Sequence, residues 1–276
     1  MRPAPRATAA VPARYASVAA DGRTGLDALR RTVARLERGT GRPAPAGVPM
    51  GLGALQDHLP GCALAGGALH EVAPAAPGDA AAAFGFLVAL LVRVQDARPG
   101  PLVLAASRHA FPGGGVPYGH GLARMGLDVA RLVVVRSEEA RRDDDILWSL
   151  EETLRAAVLG TAVAGVVRGR LGTTAGRRLS LAASDAGIPL LLLRLRATAP
   201  AATAATRWRI AAAPAARDRF GCLASCRWNA TLERCRHGRA GRWIIEWDHV
   251  AHRFRMAEVV ADRTPDAGAG GLRRAG

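Results

Sequence analysis

Short apolar runs alternate with helix-like patterns through the middle of this chain, and this alternation limits the fold more than any other feature. We predict five strands, at Leu69–Ala73, Leu102–Ala106, Leu132–Val135, Val163–Val167 and Leu190–Leu193. Apart from His70 and Glu71 in the first strand, these runs carry no polar side chains, which is typical of strands that are covered on both faces of a sheet. Helices between the strands would supply the covering layers, so the sequence indicates an α/β fold with a mostly parallel sheet.

The intervening segments carry apolar residues at helical spacing. One predicted helix is capped by Thr173 or Thr174 and ends at Gly187, since glycine readily adopts the left-handed conformation that closes a helix. The apolar run Ala80–Val94 is short for a bilayer span and is better interpreted as a buried helix. The other predicted helices are Asp79–Gln95, Gly119–Met125 and Asp145–Leu159.

The pattern changes after Arg196. Thr206–Ile210 has the alternation of a strand, and so do Arg227–Cys235 and Arg242–Asp248. The last two flank the turn-forming segment His237–Gly241, so we predict a hairpin. The predicted organisation is a disordered N-terminus (1–20), an N-terminal helix with its linker (21–47), an α/β core (48–196), an arginine-rich β extension of the core (197–261) and a disordered tail (262–276).

The charge of the chain is unusual. Its formal net charge is +15, and all 38 basic residues are arginine. This balance favours an acidic partner, with nucleic acid the first candidate. Four cysteines in 276 residues do not form a disulfide framework, and no continuous apolar segment near the N-terminus resembles a secretory signal. We therefore expect a cytoplasmic protein with no membrane association.

The first strand, loop and helix lie where a phosphate-binding loop would be expected. Such a loop needs a glycine, four further residues, and then glycine, lysine and a hydroxyl residue. From Ala73 to Ala80 this chain keeps only Gly78 of that pattern. Asp79 replaces the lysine that would contact the phosphates, and Ala80 replaces the hydroxyl that would hold Mg²⁺. The loop is therefore interpreted as degenerate, with no nucleotide cofactor and no catalytic residue.

Several segments resemble the RecA recombinase core. In that resemblance the family's catalytic glutamate falls on Arg108, and the aspartate that handles magnesium at the end of the fourth strand is replaced by Gly169, after Arg168. The resemblance implies a RecA-like, mostly parallel sheet flanked by helices, with the ATPase positions lost. The stretches that carry it are Gly51–Leu55, Gly66–Val72, Leu102–Phe111, Leu122–Val135 and Val163–Val167.

Within that superfamily the chain resembles the ImuA proteins of SOS mutagenesis cassettes, over about residues 48 to 256. The resemblance implies a non-catalytic accessory role in translesion synthesis. Its partners would be an inactive Y-family-like polymerase (ImuB-like) and an error-prone replicative-type polymerase subunit, with RecA and single-stranded DNA as further candidates. The supporting stretches are Gly126–Val135, Trp148–Leu154, Arg177–Ala183, Ile188–Arg194, Ala204–Ala211 and Trp243–Asp248.

A more distant resemblance leaves an alternative open. SulA-like inhibitors of cell division share the degenerate fold and bind the tubulin-like division-ring protein, which requires no DNA. They are usually shorter and lack a comparable basic extension, so we place this alternative second.

The C-terminal segment contains eleven arginines between Arg207 and Arg255, interleaved with aromatic residues. Arginine can contact phosphates while aromatic rings stack on bases, so this composition is typical of single-strand binders. The alternative is a β appendage whose tryptophans form its core and whose arginines are solvated. The residues predicted to contact DNA or a partner are Arg207, Trp208, Arg209, Arg227 and Arg242.

Two other groups of residues have weaker patterns. Cys222, Cys226, Cys235 and His237 have a spacing that differs from paired zinc knuckles, so no metal site is expected. His70 and its neighbour Glu71 could suggest acid–base chemistry, but no partner lies near them in a motif, and a structural role is favoured.

Overall fold

A computed structural model describes residues 45–98, 100–107, 110, 115–137, 143–156, 162–169, 171–196, 203–215, 217, 219–220 and 225–257. These residues belong to one compact unit that begins at Pro45. The predictions for 1–20, for the N-terminal helix before residue 45 and for the tail at 262–276 lie outside the described residues, as does Arg108.

The described elements alternate as the sequence predicts. The strands are β1 (Val48–Pro49), β2 (Ala63–Leu64), β3 (Leu69–Pro74), β4 (Leu102–Ser107), β5 (Leu132–Ser137), β6 (Ala162–Val167), β7 (Leu190–Arg194), β8 (Thr206–Ala212), β9 (Cys226–Cys235), β10 (Gly241–Asp248) and β11 (Arg253–Met256). The α-helices are α1 (Gly53–Gln56), α2 (Ala80–Ala97), α3 (Gly119–Arg124), α4 (Asp143–Ala156) and α5 (Thr173–Ala186).

Nine strands form one sheet in the order β11-β10-β9-β8-β3-β7-β6-β4-β5. The six strands from β8 to β5 are mutually parallel, and β9, β10 and β11 continue the sheet as antiparallel neighbours. The predicted α/β fold with a mostly parallel sheet is confirmed, and the architecture is consistent with a RecA-like fold. The predicted hairpin is also confirmed, as β9 and β10.

The two faces of the sheet have separate apolar cores. Helix α2 packs on one face, where Phe86 lies among the buried side chains of β3, β7 and β8. Helices α4 and α5 cover the parallel strands on the other face, with Leu150 and Leu179 in the interface. Every residue of β3, β4, β6 and β7 is buried, as expected for strands with cover on both faces. The same prediction is wrong for β5, where Val133 is 50% exposed, because β5 is the edge strand of the sheet.

The aromatic residues of the C-terminal strands lie under α2. Trp208, Trp228, Trp247 and Phe254 are almost fully buried, and their rings lie around Phe86, whose centroid is 5.5 Å from that of Trp208. The tryptophans therefore form core, as the alternative interpretation of this segment predicts. They also fix β9 to β11 against the same helix that covers the parallel strands.

Helix α2 is long and apolar enough to cross a membrane, with a mean hydropathy of 1.6 over Pro77–Ala97. Ten of its residues are buried in the protein core, so its composition is accounted for by packing against one face of the sheet.

The two ends of α5 compare differently with prediction. Gly187 closes the helix with a φ of 68°, and its N–H lies on the carbonyl of Ser184. Capping by Thr173 or Thr174 is wrong, because Gly172 occupies the N-cap position and no side chain caps the helix. Thr173 and Thr174 are the first two residues inside the helix. An N-cap side chain must belong to the residue that precedes the helix, from where it can accept the first free N–H groups.

Candidate functional site

The loop from Ala73 to Ala80 connects β3 to α2 and uses its own backbone groups. Its turn, Pro77–Asp79, is a short 3₁₀ segment. The Ala75 N–H donates to the Ile210 carbonyl at 2.7 Å, and the Asp79 N–H donates to the Ala76 carbonyl at 2.9 Å. Two of these eight residues are prolines, which have no N–H to offer. Few backbone donors are therefore left to surround a phosphate.

The carboxylate of Asp79 occupies the centre of this loop. Its Oδ2 accepts the Ala76 N–H at 3.0 Å, and its Oδ1 accepts the Ala212 N–H at 2.9 Å. Asp79 also immediately precedes the 18-residue helix α2, where the helix dipole favours negative charge. The side chain thus joins the loop to β8 and supplies the anion that a helix N-terminus prefers.

Gly78 does not have the geometry of a glycine that a phosphate loop requires. A Cβ at this position would meet no atom within 4 Å, and the φ angle is not positive. Neither close approach nor a left-handed conformation therefore demands glycine here.

The end of β6 is closed by another carboxylate. Asp143, the first residue of α4, accepts the Arg168 N–H at 3.0 Å through Oδ1 and the Gly169 N–H at 2.6 Å through Oδ2. A Cβ on Gly169 would lie 2.8 Å from Asp143 Oδ2, so a side chain there would displace this carboxylate. The sequence pattern did not predict this contact, since the two partners lie 25 and 26 residues away from Asp143.

His70 and Glu71 are both buried, on opposite faces of β3. His70 Nε2 lies 2.9 Å from the Ala65 carbonyl, and Nδ1 lies 2.8 Å from the Thr206 hydroxyl. Burial lowers the pKa of His70 to about 4, so the neutral ring donates from Nε2 and accepts at Nδ1. These contacts hold β3 against β8, in agreement with a structural role.

Glu71 forms part of a buried ion cluster. Arg194 Nη1 lies 2.6 Å from Glu71 Oε1, and Arg207 Nη1 lies 3.9 Å from the same oxygen. Arg207 Nε is also 2.6 Å from Glu233 Oε2. Because Arg194, Glu71 and Arg207 are nearly inaccessible to solvent, these charges hold β7, β3, β8 and β9 together.

The five predicted contact residues of the C-terminal segment differ in accessibility. Trp208 and Arg207 are buried, so a ligand could reach them only if the sheet opened. Arg209 is partly exposed and bridges Glu233 at 2.8 Å and the Pro74 carbonyl at 3.3 Å. The structure brings Arg207 and Arg209 to one carboxylate rather than to a free surface.

The other two predicted residues lie on β9 and β10. Arg227 is partly buried and pairs with Glu246 at 2.7 Å. Arg242 is exposed, and its Nε donates to Asn229 Oδ1 at 2.8 Å. Among the five, Arg242 is therefore the residue whose guanidinium is exposed and has no acidic partner among the described residues. Their contact with DNA stays a prediction.

The cysteines do not gather with other metal ligands in the described part of the chain. Cys226 and Cys235 are partly buried at opposite ends of β9, and Cys222 lies outside the described residues. Burial raises the pKa of the Cys226 thiol and raises that of Cys235 to about 11. Over the described ranges, no three His, Cys, Asp or Glu side chains form a group that could hold a metal ion.

A groove between α4 and α5 was not predicted from the sequence. It has a volume of about 420 Å³ and includes Leu181, which is 56% exposed. Trp148, which is 62% exposed, lines an adjoining hollow. Between them Glu151 pairs with Arg155 at 2.5 Å and with Arg178 at 2.7 Å. An exposed tryptophan beside ion-paired helices is typical of surfaces that contact other proteins.

Comparison with known proteins identifies relatives over nearly the whole chain. No family model matches. Two curated proteins from Caulobacter vibrioides, one from strain NA1000 / CB15N and one from strain ATCC 19089 / CIP 103742 / CB 15, are each 34% identical over 255 residues. Both carry the name Protein ImuA, and the similarity covers 86% of this chain and 99% of each relative.

Proposed function

The chain belongs to the ImuA family, and from that premise we propose that it is a non-catalytic, cytoplasmic accessory protein of SOS-induced translesion synthesis. Family membership supports a role in SOS mutagenesis. The absence of catalysis and the contacts with polymerases are the finer parts of the proposal.

The observation that carries the non-catalytic role is the position of the Asp79 carboxylate. It accepts the N–H groups of Ala76 and Ala212 and so places a negative charge where a phosphate loop would receive an anionic nucleotide. Two unit charges about 4 Å apart repel by roughly 1 kcal/mol in water and by several times more in a cleft of lower dielectric. The Asp143 carboxylate on the N–H groups of Arg168 and Gly169 supports the same conclusion at the end of β6.

Nucleotide binding and turnover test this part of the proposal. Purified full-length protein with ATP and Mg²⁺ should release phosphate no faster than buffer that contains no protein. ATP should leave the melting temperature unchanged, because a ligand raises it only by binding the folded state. Gly78→Arg, which fills the open space of the loop, serves as the control for a contaminating enzyme. ATP turnover that Gly78→Arg abolishes would contradict the proposal.

The proposed partners are the inactive Y-family-like polymerase and the error-prone replicative-type polymerase subunit, with RecA as a further candidate. The surface around Trp148 and Leu181 supports a protein contact, because both side chains are more than half exposed and tryptophan often contributes strongly to interface affinity. The ion pairs of Glu151 with Arg155 and Arg178 hold α4 and α5 in place beside these side chains.

Co-purification from DNA-damaged cells tests the partners. Tagged wild-type protein should recover both polymerases, and the Trp148→Ser/Leu181→Ser variant should recover less of them. Tyr118→Ser is the matched control, since Tyr118 is an exposed aromatic residue at the start of α3, on another part of the surface. Recovery of the division-ring protein instead of polymerases would favour the SulA-like alternative and overturn this proposal.

A further inference from the structure

Four exposed arginines lie at the β9–β10 hairpin. Arg234 is near the end of β9, Arg236 and Arg239 are in the connecting turn, and Arg242 follows at the start of β10. We name this group the hairpin arginine cluster. These arginines are exposed at the surface and do not belong to the buried ion cluster of Glu71 and Arg194.

Strand register places two members of the cluster on one face of the sheet. Arg234 pairs with Arg207, while Arg242 pairs with Thr231, which pairs in turn with Arg209. Residues that are directly paired across neighbouring strands project from the same face. Arg234 and Arg242 therefore lie on the face opposite α2 and the aromatic core.

A carboxylate on that face, Glu233, is already occupied. Glu233 lies in the register shift of β9, and its two oxygens contact Arg207 Nε at 2.6 Å and Arg209 Nε at 2.8 Å. These contacts hold the pKa of Glu233 below its usual value despite partial burial. Within the described residues no carboxylate forms an ion pair with a member of the hairpin arginine cluster.

The turn itself is held in place by the body of the protein. The Arg239 N–H donates to the His58 carbonyl at 3.0 Å, and the Arg236 N–H donates to the Ala205 carbonyl at 2.7 Å. The His58 ring also packs edge-on against Trp243, with 4.9 Å between centroids. The four guanidinium groups are thus carried by a fixed backbone, so binding an anion there requires little ordering of the chain.

We infer that the hairpin arginine cluster contacts the phosphodiester backbone of a nucleic-acid strand. This inference rests on the proposed function in translesion synthesis and adds to it a surface that contacts DNA. Guanidinium groups match the geometry of phosphate oxygens, and clustered arginines without acidic partners attract a polyanion over a long range. Since the tryptophans of these strands are buried or face α2, binding depends on backbone charge rather than on base stacking.

Salt-dependent binding of a labelled 30-nucleotide oligo(dT) to the full-length protein tests the inference. The quadruple variant Arg234→Ala/Arg236→Ala/Arg239→Ala/Arg242→Ala is compared with a charge-matched variant, Arg124→Ala/Arg168→Ala/Arg177→Ala/Arg196→Ala, whose four arginines are exposed on separate elements. Each lost phosphate contact lowers the steepness of log K against log salt by about 0.7, so four contacts give roughly 3.

The affinity of the hairpin variant for the oligonucleotide should therefore be lower by about tenfold or more near 0.1 M salt. The affinity of the charge-matched variant should change much less. Arginine-to-lysine replacement at the same four hairpin positions should keep most of the salt dependence, and circular dichroism melts check that each variant is folded. Equal losses in the two alanine variants would overturn the inference, and so would a wild-type protein that does not bind the oligonucleotide.

Two parallel measurements separate other outcomes. If the cluster instead mediates binding to vesicles of 30% phosphatidylglycerol, with no oligonucleotide binding, the partner is a membrane and the inference is wrong. Co-purification of the polymerases is measured with the same hairpin variant. If wild-type protein recovers polymerases but the hairpin substitutions leave DNA binding unchanged, this inference alone is wrong. If wild-type protein binds DNA through the hairpin but recovers no polymerase, the proposed function alone is wrong.

Discussion

Replacement of Asp79 by alanine removes the carboxylate that joins the β3–α2 loop to β8. The variant loses an acceptor for the Ala76 N–H and for the Ala212 N–H, and it loses the negative charge at the start of α2. The loop N–H groups become free, but no lysine or hydroxyl is added. We therefore expect Asp79→Ala to destabilise the fold without creating a nucleotide site.

The size of this loss follows from the three interactions. The side chain makes no capping bond to α2 itself, and loss of its bond to the Ala76 N–H of the 3₁₀ turn costs about 0.5–1.5 kcal/mol. A favourable charge at a helix N-terminus contributes about 0.3–1 kcal/mol more. The bond to Ala212 adds less than a buried bond would, because that residue is exposed and water can replace the lost partner. Together these give about 2 kcal/mol, which for a domain of this size lowers the melting temperature by about 4–8 °C.

Thermal melts followed by circular dichroism, together with urea unfolding, measure this change. Asp79→Asn keeps an oxygen acceptor and should lose about half as much. Asp96→Ala removes an exposed carboxylate that pairs with Arg93 and should change stability by less than about 0.5 kcal/mol. Asp79→Ala protein as stable as wild type would refute the role assigned to this carboxylate. ATP binding gained by Asp79→Ala would refute the reasoning about the rest of the loop.

Other variants test the core, each by urea or thermal unfolding unless stated. Glu71→Gln should destabilise by about 3–5 kcal/mol, because the buried Arg194 would lose the carboxylate that it contacts at 2.6 Å; a loss below about 1 kcal/mol would contradict the ion cluster. Burial lowers the pKa of His70 to about 4, so between pH 6.5 and 4 the unfolded chain binds a proton that the folded chain does not. Stability should be complete above pH 7 and fall by up to about 3 kcal/mol through that window, and His70→Gln should flatten this pH dependence. Gly78→Ala should be neutral or stabilising by up to about 1 kcal/mol, since its site is open, and a marked loss would show that glycine is required. Trp208→Ala should lower the free energy of unfolding by about 3–5 kcal/mol, because Trp208 is fully buried. A much smaller loss would indicate an exposed side chain.

The predicted strands of the core lie where the structure has them, because burial on both faces leaves a simple sequence pattern. A run such as Leu190–Arg194 is apolar throughout its first four residues, and its parallel neighbour β6 carries no polar side chain. Strand β11 was not predicted because Arg253–Met256 is short and contributes Phe254 as its buried residue. One buried side chain in four residues gives no periodic signal of its own.

The contacts that decide the candidate site were less predictable, because they join distant parts of the chain. The predicted strand Thr206–Ile210 implies by its alternation that Arg207 and Arg209 share one face, and the observed register agrees. The alternation could not show that Glu233, on the neighbouring strand, reaches both of them, or that Glu71 lies beneath Arg207. Apolar periodicity reports which face is buried, but it carries little information on which charges meet there.

The same distinction applies to Asp79. Since Asp79 is the first residue of the predicted helix Asp79–Gln95, the helix alone determines that its carboxylate lies at the positive end of α2. Its bond to Ala212, 133 residues later, depends on β8 lying beside β3. The predicted accessibility of Trp208 failed for a related reason, since alternation shows that Trp208 faces away from Arg207 but not that α2 covers that side.

Asp79 and Asp143 together make a stronger argument than the loss of a lysine. A missing lysine removes one interaction with a phosphate, whereas each of these carboxylates accepts two backbone N–H groups at the carboxyl ends of β3 and β6. Restoration of lysine at position 79 alone would leave two prolines in the loop, and an aspartate at position 169 would meet the Asp143 carboxylate. Several simultaneous changes would be required to recover a nucleotide site, and each would first remove contacts that stabilise the fold. On the proposed non-catalytic role, the exposed surfaces of α4, α5 and the β9–β10 hairpin are where experiments on function should begin.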